Sequence, residues 1–63
     1  MPLAMPLKII RHPESFEIRD SDGKHVAYVY FEDEAARRNQ THRLTEAEAR
    51  EAAQRIARAL STP

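Results

Sequence analysis

Sixty-three residues with ten basic and ten acidic side chains make one domain, with no bulk charge to hold a nucleic acid or an anionic membrane. The absence of cysteine excludes disulfides and thiolate zinc sites and fits a reducing, cytoplasmic setting. At this size one core is only marginally sufficient, and total stability is expected on the order of 3–9 kcal/mol.

The chain opens on Met1 to Ile10, MPLAMPLKII, which is apolar but broken by Pro2 and Pro6 and preceded by no basic region. It reads as neither a signal peptide nor a membrane span, so no membrane partner is expected. The sequence divides as a single small domain over residues 1–63. Residues 1–6 form a frayed lead-in, 7–32 strands, 33–44 a loop with room for one helical turn over Asp33 to Arg38, and 45–60 a helix. Leu7 to Arg11 can add a short strand, and His12-Pro13 marks a turn or break.

Ser15 to Asp20 alternates, with Phe16 and Ile18 on one side and Glu17 and Arg19 on the other, as a half-buried strand does. Asp20-Ser21-Asp22-Gly23 supplies the reversal, and Gly23, the only glycine, can take φ > 0 without penalty. A two-residue Asp22-Gly23 loop would set Phe16 opposite Val29. A turn with Asp20 first and Gly23 fourth would set Phe16 opposite Tyr28 and Ile18 opposite Val26. The residue preferences favour the second.

In either register the strand His25 to Glu32 puts Val26, Tyr28 and Tyr30 on one face and Ala27, Val29 and Phe31 on the other. One helix can cover only one of these faces. Burying a Val or Phe is worth roughly 1.5–3 kcal/mol, so the Val29–Phe31 face needs a cover. The N-terminal LKII segment, the 34–43 loop or a second copy in a homodimer would each serve. Tyr28, Val29, Tyr30 and Phe31 are therefore the candidate interaction face, acting through whichever pair the helix leaves open.

Thr45-Glu46-Ala47-Glu48 is a capping box. It is followed by an apolar stripe of Ala49, Ala52, Ala53, Ile56, Ala57 and Leu60 at three- and four-residue steps. The fold expected is α+β: an antiparallel β-hairpin or three-stranded meander with one C-terminal helix, near Glu46–Leu60, packed across it. The expected core is Phe16, Ile18, Val26, Tyr28, Leu44, Ala49, Ala53, Ile56 and Leu60.

Motifs that carry chemistry are missing. His12, His25 and His42 lack metal-ligand spacing, no serine sits in a nucleophile elbow, and one glycine cannot make a phosphate loop. No metal, cofactor or catalytic residue is assigned, and an enzyme is not expected. Glu32, Asp33 and Glu34 read as a solvated strand exit. Arg37, Arg38, His42 and Arg43 form the one basic cluster, an alternative nucleic-acid site that the neighbouring acids argue against. A hairpin followed by a helix is also the layout of the arm-type DNA-binding domains of phage-like integrases, a likeness of topology alone. HPESFEI, the D-x-DG turn, AYVYFEDE, the following Arg-Arg and LT-x-x-EA together resemble a family of short, uncharacterised bacterial proteins. That resemblance implies a stand-alone cytosolic protein and transfers no catalytic residue or ligand. The function expected is a small non-catalytic module that binds a protein partner and can self-associate.

Overall fold

Proline at position 13 fixes one backbone angle and offers no N–H, which suits the two-residue Pro13-Glu14 reversal between the first two strands. The structure is a computed structural model that describes residues 3–61. Strands β1 (Lys8–His12), β2 (Ser15–Arg19) and β3 (His25–Tyr30) form one antiparallel sheet in the order β1-β2-β3. Two helices follow, α1 (Ala35–Thr41) and α2 (Glu46–Ser61). The three-stranded version of the expected α+β fold is the one present, and α2 packs across the sheet.

The hairpin between β2 and β3 combines the two registers weighed from sequence. Gly23 sits at φ +85° and donates its N–H to the Asp20 carbonyl, so the turn runs from Asp20 to Gly23 as the residue preferences suggest. The Asp20 carboxylate accepts from the amides of Asp22 and Lys24, and burial leaves it only 4% exposed. Pairing begins at Arg19 opposite His25, then shifts so that Ile18 faces Ala27 and Phe16 faces Val29. Val26 is the extra residue, a bulge that converts one register into the other. The preferred pairing of Phe16 with Tyr28 is thus corrected: the turn follows its sequence signal, and the bulge moves everything beyond it by one.

That shift decides the core. Phe16, Ile18, Phe31, Ala49 and Ala53 are buried, with Leu7, Val26, Ala27, Val29 and Ala57 packed at the margin. The Phe16 and Phe31 rings lie 5.4 Å apart, and the small alanines let α2 approach them closely. Tyr28, placed in the core from sequence, lies instead on the opposite face and is exposed. Leu44 is also exposed, because its carbonyl is held by the Glu32 amide at the end of β3 and its side chain lines a shallow groove with Glu48 and Arg55. Ile56 and Leu60 are exposed although they lie on the apolar stripe. Sixteen helical residues span about 24 Å, whereas strands of five or six residues reach only about 17–20 Å, so the helix overhangs the sheet.

The segment read as a loop contains α1, which buries no side chain. The Arg38 guanidinium folds back onto the carbonyls of Glu32 and Asp33, and His42 ends the helix in the left-handed region at φ 58°. The lead-in is tied rather than loose over its described part: Ala4 accepts from the Ser21 amide at 2.9 Å.

The capping box is formed. The Glu48 amide donates to Thr45 Oγ1 at 3.1 Å, and the Thr45 amide donates to Glu48 Oε1 at 2.9 Å. Asp33 Oδ1 adds a bond from the Glu46 amide. Thr45→Ala should therefore cost about 1 kcal/mol, read as a shifted urea midpoint. An unshifted curve would mean that Asp33 alone suffices as the cap.

Candidate binding face of the sheet

The face of the sheet that α2 leaves open is a small grid set by the strand pairing. Lys8, Arg19 and His25 form one row, Ile10, Glu17 and Tyr28 the next, and His12, Ser15 and Tyr30 the third. At its centre Glu17 is fully buried, although no helix lies over it. The cover comes from its own neighbours.

Those neighbours fill the carboxylate. Oε1 accepts from His12 Nε2 at 2.8 Å and from the Arg19 guanidinium at 2.9 Å. Oε2 accepts from Arg19 Nε at 3.0 Å and from His25 Nδ1. An ionised carboxylate has about four acceptor positions, and here all are taken. Because it can only accept, His12 must carry its proton on Nε2 and His25 on Nδ1. The Arg19 bonds, then those from His12 and His25, hold the Glu17 carboxyl well below the usual carboxylate range. A carboxylate so saturated has no lone pair left for a substrate proton or a cation. Among the described residues no group of three or more His, Asp or Glu is arranged to hold a metal ion.

The saturated centre carries an aromatic surface. Tyr28 Oη lies 3.2 Å from His25 Nδ1, and the ring sits between His12 and His25 at centroid distances of 6.2 and 6.0 Å. Tyr28 and Tyr30 are stacked, 6.2 Å apart with 19° between their planes, and are 44% and 47% exposed. The Arg43 guanidinium lies 4.9 Å from the Tyr30 ring centre while pairing with Glu14 at 3.3 Å.

The four candidate interaction residues thus divide between two faces. Val29 and Phe31 lie under α2, and Tyr28 and Tyr30 remain open. The apolar surface that called for a second chain is covered by the protein's own helix. The alternative basic set also separates: Arg37 pairs with Glu34, Arg38 binds backbone carbonyls, His42 caps α1, and only Arg43 reaches the open face.

Glu17, Arg19, His12 and His25 as a group were not foreseen from sequence. The only trace was the polar side of β2, where Glu17 and Arg19 alternate with Phe16 and Ile18. A pairing register was needed to bring the histidines of β1 and β3 to it. No helix among the described residues is long and apolar enough to cross a membrane. Neither a family model, a curated protein nor a solved structure matches this chain.

Proposed function

We propose that the protein is a non-catalytic binding module whose contact surface is the open sheet face around Tyr28 and Tyr30. The observation that carries this reading is the pair of half-exposed, stacked tyrosines, of which Tyr28 stands opposite a carboxylate with no acceptor capacity left. Rigid aromatic side chains rimmed by charge are common material for interfaces, since they offer contact area at little entropic cost. The bonds around Glu17 fix that surface before any partner arrives, which lowers the ordering cost of binding. Catalysis finds less support, because the histidines are held by a filled carboxylate and the face is open rather than enclosed.

A photo-crosslinking side chain placed at Tyr30 should capture a discrete partner in living cells, whereas the same group at the exposed, helical Gln54 should not. Equal labelling from both positions would remove the open face as the contact surface. Digesting the adduct with nuclease or protease then reads the chemical class of the partner.

A further inference from the structure

We infer that the cavity between the N-terminal lead-in and the β2–β3 turn binds a small primary amine, its ammonium on the Asp20 carboxylate and its apolar body against Leu3, Ala4 and Val26. The cavity holds about 570 Å³, within the range of small-molecule sites. It shares only His25 with the grid of the open face. Its walls follow from the local sequence. Asp20-Ser21-Asp22-Gly23 reverses the chain, and the Ser21 amide draws the lead-in against that turn by donating to the Ala4 carbonyl at 2.9 Å. Val26, the bulge residue, adds a further apolar wall.

Asp20 is the residue that calls for a ligand. It is 4% exposed and lines the cavity. The Lys24 amide first, then those of Ala4 and Asp22, hold its carboxyl below the usual range, so it is charged near neutral pH. A buried charge ordinarily has a counter-charge beside it. Among the described residues Asp20 forms no salt bridge, and its bonds come from neutral amides. The Lys24 ammonium acts on it only through space, as the smallest of these influences.

The two carboxylate oxygens differ. Oδ1 accepts from the Asp22 amide at 3.0 Å and the Lys24 amide at 2.9 Å, which fills it. Oδ2 accepts only from the Ala4 amide, at a long 3.4 Å, and Ala4 is itself a wall of the cavity. One acceptor position is left, on that oxygen. A guanidinium fork would need both oxygens, whereas an ammonium needs one. Asp22 adds a second carboxylate to the lining, against the single ammonium of Lys24. His25 turns its Nδ1 away to Glu17. The apolar walls suit an organic cation rather than a bare metal ion.

Amide NMR of the full chain titrated with benzylamine tests this. The amides of Ala4, Asp22, Lys24 and Val26 should shift together and saturate, with a Kd of about 1 mM for a ligand of this size. Benzyl alcohol, the neutral counterpart, should bind about 10- to 100-fold more weakly, the range of one charge-assisted hydrogen bond. Asp20→Asn keeps an acceptor for the turn amides but removes the charge, and should bring benzylamine down to the level of the alcohol. Lys24→Met keeps the backbone amide and removes the competing ammonium. It should tighten benzylamine severalfold, and it decides the matter if the Asp20 variant unfolds.

No saturable shift up to about 10 mM benzylamine would overturn the inference. Equal affinity for amine and alcohol would do the same, as would identical shifts from equimolar sodium chloride. Unchanged or weaker binding by Lys24→Met would show that the charge of the site is not what holds the ligand. The reading of the open face stands or falls apart from this cavity.

Discussion

Ile18→Ala is expected to remove a large share of the stability of this protein. Ile18 has no exposed surface and lies between Ile9 of β1 and Ala27 of β3 on the face that α2 covers. Truncating a fully buried isoleucine costs about 2–5 kcal/mol through lost transfer energy and the cavity left behind. A chain of this length holds only on the order of 3–9 kcal/mol in total. With a urea slope near 1 kcal/mol/M, the midpoint should fall by about 2 M or more. Tyr28→Ala, one residue along β3 from Ala27 but on the other face, should shift it far less. The comparison also reads the register. If Phe16 faced Tyr28 instead of Val29, the tyrosine would lie in the core and its truncation would be the damaging one.

Glu17→Gln should be the most disruptive polar substitution, and its effect should depend on pH in a defined direction. The Glu17 carboxyl is held well below its ordinary value, chiefly by Arg19 and then by His12 and His25. A group with a depressed folded value contributes stability above its unfolded value, about 4.3 for glutamate. That contribution is lost as pH falls through the folded value. At pH near neutral the variant leaves the half-buried Arg19 and both histidines without their anion, and the Tm should drop on the order of 10 °C. As pH is lowered below about 4.3, wild type loses what the variant never had, and the gap should narrow. Asp20, Glu46 and Glu48 are also depressed, by the Lys24 amide, Arg11 and the Thr45 amide respectively. These remain in both proteins and cancel in the difference. Thermal melts of the pair across the acid range give the result. A gap that stays constant down to the lowest pH at which both fold would mean that the Glu17 charge is not what stabilises the sheet.

The ion pairs that join helix to sheet are a weaker matter. Arg11 binds Glu46 with two hydrogen bonds at 2.9 and 3.2 Å, and Arg50 reaches the same carboxylate at 3.0 Å. All three are partly or largely open to water, where such pairs contribute up to about 1 kcal/mol. Their greater use is packing, since Arg11 also lies over Phe31 and Arg50 over Phe16. Apolar stems over the aromatic pair close the end of a core that the alanine stripe leaves thin.

Local rules carried much of this fold. Alternation alone separated Tyr28 and Tyr30 from Ala27, Val29 and Phe31, because a strand has period two whatever it pairs with. The Thr45–Glu48 box and the Asp20–Gly23 turn formed as written, since both are bonds between residues three apart. Which face became the core was decided elsewhere, by the bulge at Val26, an irregularity that no propensity marks and that moves the pairing by one residue. α1 was legible only as one helical turn over Asp33 to Arg38, because it buries nothing and so leaves no apolar period to read. The Glu17 cluster was beyond reach for a related reason. His12, Glu17 and His25 sit on three different strands, and polar partners of that kind obey no spacing. They meet only once the register is fixed, and the register belongs to the tertiary structure.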